Sequence, residues 1–132
     1  MNRLIALLHA GERPWMGIYL RVLAVLYAAG AVFHFLNLFG AGLVSLEEMT
    51  IPLRVSEAVY AQLATVTVFG LWIRRPWGLI CFFIFAFSQI ILYWGFSGLF
   101  ALSDRHFQAL QGMINIHIST LAIFVMIRMK ER

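Results

Sequence analysis

The chain has 132 residues, of which 62% are hydrophobic and 12% charged, with a formal net charge of +4. So little polar material cannot cover a soluble domain of this size, and what lies outside the apolar stretches is too short to bury a core of its own. The basic residues are dispersed at the ends of those stretches, which sets nucleic acid aside as a partner; the single cysteine, Cys81, allows neither an internal disulfide nor a cysteine-based metal cluster.

Taken in chain order, residues 2–10 come first. Leu4, Leu7 and Leu8 share one helical face, which predicts a short interfacial helix on the inner leaflet. Their apolar run is too short for a signal peptide, and Gly11-Glu12-Arg13-Pro14 follows in place of a cleavage site. Four long stretches nearly free of charge come next. A helix needs ~20 mainly apolar residues to cross a bilayer. These stretches therefore predict one all-α domain, a four-transmembrane-helix bundle with spans at 16–40, 56–74, 77–100 and 109–128.

Span 1 opens with Arg13-Pro14-Trp15 and span 3 with Arg75-Pro76-Trp77, 62 residues later. Proline suits a first helical turn, tryptophan the headgroup layer and arginine the cytoplasmic side. Either a hairpin used twice, as a 2+2 parallel repeat, or convergence on a favourable start accounts for the match. Span 1 carries Ala24, Ala28, Ala29, Gly30 and Ala31, and span 2 carries Ala58, Ala61 and Ala64. Small residues let backbones approach, so these two spans are expected to form the tight pair. Span 3 is bulky, with Phe82, Phe83, Phe85, Phe87, Tyr93, Trp94 and Phe96, and is expected to face lipid or another protein.

Orientation follows from charge. Arg3, Arg13, Arg21, Arg74, Arg75, Arg128, Lys130 and Arg132 fall on one side, leaving only Arg54 and Arg105 for the other, which also holds Glu47, Glu48, Glu57 and Asp104. With short loops the positive-inside rule then puts both termini in the cytoplasm. Arg13, Arg21, Arg74 and Arg75 are candidate headgroup contacts.

Polar residues within the spans are the remaining signal. Counted at about 1.5 Å per residue from the cytoplasmic ends, they form two layers. The outer one holds His34, Glu57, Tyr93 and Gln111, with Asn37 just beyond; the midplane one holds Gln62, Gln89, Asn115 and His117. One reading is an outward-facing polar cavity with His34 and Glu57 as a proton-linked pair. The other is interhelical hydrogen bonding, with Ser56-Glu57 capping the start of span 2. By the same count His34 and His117 differ by about 12 Å in depth, which argues against a shared haem. No two histidines stand at i, i+3 or i, i+4, and no nucleophile–base spacing is present.

The leading expectation is a non-catalytic accessory, assembly or structural subunit of a larger complex in a bacterial inner membrane. It would have no cofactor but bound lipid, and its contacts would be other membrane subunits or further copies through the aromatic face of span 3. A small homo-oligomeric transporter or channel, and a lipid- or quinone-binding protein, are the alternatives.

Overall fold

The computed structural model describes Ile5, Ala6, His9 and residues 12–131; the interfacial helix expected at residues 2–10 falls for the most part outside them. The described residues are 82% helix and include no strand. Four long helices, α1 (Pro14–Leu38), α2 (Ile51–Trp72), α3 (Pro76–Gly95) and α5 (Asp104–Lys130), are joined by short connections that include a single turn, α4 (Ser97–Phe100). Of these, α1, α3 and α5 are long and apolar enough to cross a membrane.

The helix starts follow the sequence closely. Arg13 and Arg75 are both extended N-cap residues without a capping side chain, and each is followed by proline in the first turn. Proline's fixed φ and missing N–H suit that position. The start of α2 lies five residues before the expected one. Thr50 is the true cap, its hydroxyl accepting from the Leu53 N–H, and Pro52 follows in the first turn. Glu57 therefore sits nearly two turns inside α2, and the expected Ser56-Glu57 cap is corrected.

Two helices end in the same way. At the end of α1 the Ala41 N–H reaches Leu36 O and the Gly40 N–H reaches Asn37 O, with Gly40 at φ +73°. At the end of α2 the Arg75 N–H reaches Gly70 O and the Arg74 N–H reaches Leu71 O, with Arg74 at φ +56°. Both are Schellman closures, which need a left-handed residue just past the helix. Glycine takes that conformation freely, whereas Arg74 does so at a cost of roughly 1 kcal/mol.

Cross-helix pairs fix the topology. Arg21 lies over Trp72 and His34 meets Glu57; Phe69 meets Trp77 and Tyr60 meets Ser88; Phe82 meets Phe124 and Gln89 meets His117. In each comparison residue numbers rise along one helix as they fall along the next, so the bundle runs up, down, up, down. At its closing edge the carboxylate of Glu131, after α5, accepts from the Trp15 and Met16 N–H groups of α1, and Arg13 donates to the Glu131 carbonyl.

The α1–α2 pair has the most extensive contact, as the small residues imply: Ala24, Ala31, Ala61 and Ala64 are buried there. The α1–α5 edge has much less and remains a groove. The bulky helix α3 does not simply face outward. Phe82, Phe85 and Tyr93 are buried in the core, whereas Trp77, Phe87 and Trp94, with Phe96 just past the helix, are exposed. With a side chain every 100°, a Phe-rich helix supplies both faces.

Gly70 and Gly78 sit back to back where α2 turns into α3, and a Cβ on Gly78 would overlap the Gly70 backbone. Gly78→Ala should therefore destabilise the detergent-solubilised protein by about 1–3 kcal/mol in a denaturation titration. Gly95→Ala, whose added carbon meets open space, should leave it within about 0.5 kcal/mol.

Candidate functional site

One run of polar side chains threads the bundle and draws a residue from every long helix. Tyr27 OH on α1 donates to His117 Nδ1 on α5, at 2.7 Å. His117 Nε2 meets Gln89 Oε1 on α3 at 2.7 Å, and Gln89 Nε2 meets His34 Nε2 on α1 at 2.9 Å. His34 Nδ1 lies 2.6 Å from Glu57 Oε2 on α2. Asn37 Nδ2 donates to the second carboxylate oxygen at 3.2 Å, and the Leu43 N–H donates to Asn37 Oδ1 at 3.0 Å. Six side chains in this run, Tyr27, His34, Asn37, Glu57, Gln89 and His117, are 0–4% exposed.

Donor and acceptor chemistry gives the run a direction. The Leu43 N–H fixes which end of the Asn37 amide is oxygen, so Asn37 must donate to Glu57. With Glu57 as a carboxylate, whose oxygens only accept, His34 Nδ1 is the donor to Oε2. The Gln89 NH₂ group faces His34 Nε2, which then accepts from it. The Gln89 carbonyl therefore turns to His117, which must hold its proton on Nε2 and accept from Tyr27 at Nδ1. Every donor points toward Glu57, and chains aligned in this way polarise one another. Gln89 is the junction, because one amide serves both imidazoles. Its NH₂ also approaches Tyr93 OH at 3.4 Å.

Aromatic rings wall the run and exclude water. His34 stacks on Tyr60, and Phe85 packs edge-on against Tyr27, His34 and His117. Asn37 is held from outside by Gly42, where a Cβ would collide with the Asn37 carboxamide. In a low-dielectric interior each unpaired polar group costs about 1–3 kcal/mol.

The structure merges the two expected layers and thins them. His34, Glu57, Tyr93, Gln89 and His117 come together. Gln62 turns outward and donates to its own helix at Ala58 O; Asn115 is exposed, and Gln111 is half-buried at the side of the run. The 12 Å depth gap between His34 and His117 is closed by the long Gln89 side chain, because an axial count locates backbones and not side-chain tips. Tyr27 was not singled out from sequence; its signal was a phenol set among the small residues Ala24, Ala28 and Ala31. His106 is a second omission. It is fully buried, with Nδ1 accepting from the Leu102 N–H and Nε2 unpartnered. Among the described residues no group of three His, Cys, Asp or Glu is placed to hold a metal.

The candidate headgroup arginines gather at the opposite end from Glu57. Arg13 follows His9 and Glu12 beside Arg128, Arg74 and Arg75 form the α2–α3 turn, and Arg21 lies 5.9 Å over the Trp72 ring. A groove of about 230 Å³ runs along the α1–α5 edge, lined by Leu26, Gly30, Phe33, Met113, Tyr27 and His117 among others. Its walls are almost wholly apolar, because the polar atoms of Tyr27 and His117 are turned inward and paired.

Gln89→Leu removes the junction and leaves both imidazole Nε2 atoms without partners. It should cost about 2–5 kcal/mol in a denaturation titration. Gln62→Leu, on the outward face of α2, should change stability by less than about 0.5 kcal/mol.

No curated protein and no solved structure matches the chain. One family model does, over residues 14–132, which takes in all four long helices and the whole polar run. The chain belongs to that family, a family of unknown function designated DUF6163.

Proposed function

We propose that this protein is a four-span integral membrane protein of a bacterial inner membrane, with both termini cytoplasmic, that serves as a non-catalytic accessory subunit of a larger membrane complex. The observation that carries this reading is the closure of the polar run. Its hydrogen-bonding groups are paired with one another inside the bundle, so none is presented to a substrate. A catalytic or transport site needs polar atoms facing a space that a substrate can enter. The α1–α5 groove supplies space but almost no polar atoms, and suits a lipid chain better than a solute. The run then acts as an internal clamp that fixes the rotation of each helix.

The fourth span is α2. Its 22 residues reach about 33 Å, enough to cross the hydrocarbon layer. Its polar Glu57 and Thr67 are buried against neighbours, where they do not face lipid. The arginine-rich end holds the start of α1, the α2–α3 turn and the end of α5, as cytoplasmic termini require.

Mild-detergent purification from native membranes, followed by mass spectrometry, tests the subunit reading. A stoichiometric second protein is expected; recovery only as a pure self-assembly would overturn it. A periplasm-active reporter fused to either terminus should be silent, and activity at either end would contradict the proposed orientation.

A further inference from the structure

The outward line of α5 is built the wrong way round for a helix that faces lipid. Its inward seam runs through His106, Leu110, Ile114, His117, Thr120 and Phe124, all buried. Directly opposite lie Gln108, Gly112, Asn115, Ser119, Ala122 and Met126, all exposed. The spacing along this line alternates four and three residues, the period of any single helix face, so the line is one continuous strip along which a second helix can lie. The flanks of the line carry large aliphatics instead: Ile116, Ile118, Ile123 and Val125. A lipid-facing helix gains most by placing its bulkiest apolar side chains outermost. Here the outermost line is small or polar from Gln108 to Ala122, with Met126 alone bulky at its far end, and large aliphatics stand on either side.

A second observation is independent of the period. Asn115 lies 11 residues from one end of α5 and 15 from the other, so about 16 and 22 Å along its axis. That is within the hydrocarbon layer of a spanning helix. Among the described residues the Asn115 amide makes no hydrogen bond. The comparable outward groups of α2 do: Gln62 and Thr65 each donate to a carbonyl four residues back on their own helix. An amide in hydrocarbon without a partner is costly, and a neighbouring helix is what relieves it.

We propose that this face of α5 is an interface with a second copy of the same chain, the two α5 helices lying side by side in parallel. Copies inserted in one orientation are related by a two-fold axis along the membrane normal, so each residue meets its counterpart at equal depth. An amide both donates and accepts, and Asn115 is therefore complementary to itself. A different partner would need polar groups at the matching depths of Gln108, Asn115 and Ser119. A second copy has them by symmetry. Gly112 and Ala122 let the two backbones approach, while Ile116, Ile118, Ile123 and Val125 close over the seam from its sides. The inference goes beyond the subunit reading and does not depend on it: two copies can sit inside a larger complex or stand alone.

Single cysteines placed along α5 in a Cys81→Ser background, oxidised in native membranes, test the interface. Disulfide-linked dimers of this chain should peak at positions 112, 115, 119 and 122 and fall several-fold at 116, 118 and 123. Asn115→Leu, with the fold checked by denaturation, should weaken self-association about three- to tenfold by energy transfer between labelled copies in liposomes. Cross-linking without the helical period, links only to a different protein, or unchanged association of Asn115→Leu would each overturn the proposal. A stoichiometric foreign partner found beside a dimer leaves it intact. Loss of the dimer signal overturns it whatever else is purified.

Discussion

Glu57 sets the terms for the rest of the molecule. A carboxylate 1% exposed inside a helical bundle must be met by donors, and its only ion-pair partner among the described residues is His34. Once the His34 Nδ1–H donates a hydrogen bond to Glu57, its other nitrogen accepts, and Gln89 supplies the donor. Gln89 then needs a donor for its carbonyl, and His117 is the one in reach. The requirement passes from α2 to α1, α3 and α5 in sequence, ending on Tyr27. Each link is short and buried, so rotating or sliding any one helix breaks at least one of them. Apolar packing alone would not fix rotation in a bundle whose helices are apolar nearly all round.

The same property explains what could be read from the sequence. The all-helical class, three apolar helices long enough to span, the proline starts at Pro14 and Pro76, and the small-residue contact between α1 and α2 were legible because they depend on length, composition and local chemistry. His34, Glu57, Gln89 and His117 stood out because ionisable and amide groups are rare in spans. Their joining into one chain was not legible, since an axial count places backbones and leaves side-chain reach unknown. Helix rotation was equally hidden. Gln62 and Asn115 have the composition and depth of core glue yet point outward, and Phe82, Phe85 and Tyr93 point inward from a helix that looked lipid-facing. Without a polar face there is no moment to distinguish the two. The start of α2 was misplaced because Arg54 and Glu57 interrupt the apolar run, whereas the signal that decides it is Thr50 followed by proline.

Inward and outward polarity thus have different meanings in this protein. The inward groups of the run from Tyr27 to Asn37 are paired within the chain and hold four helices in register. The outward line on α5 carries Asn115, whose amide makes no hydrogen bond among the described residues, and the proposed interface rests on it. The apolar α1–α5 groove lies between them and adds no polar atoms to either. The polar run spends its groups on internal register and fixes how the four helices face one another.

The directional chain from Tyr27 to Glu57 makes a spectroscopic statement about both imidazoles. Solid-state ¹⁵N resonance of the histidine-labelled protein in bilayers at neutral pH reads which ring nitrogen carries hydrogen. A neutral His34 protonated at Nδ1 together with a neutral His117 protonated at Nε2 is the predicted result. His117 protonated at Nδ1, or His34 at Nε2, would mean that the Gln89 amide is turned the other way and that Glu57 does not organise the chain.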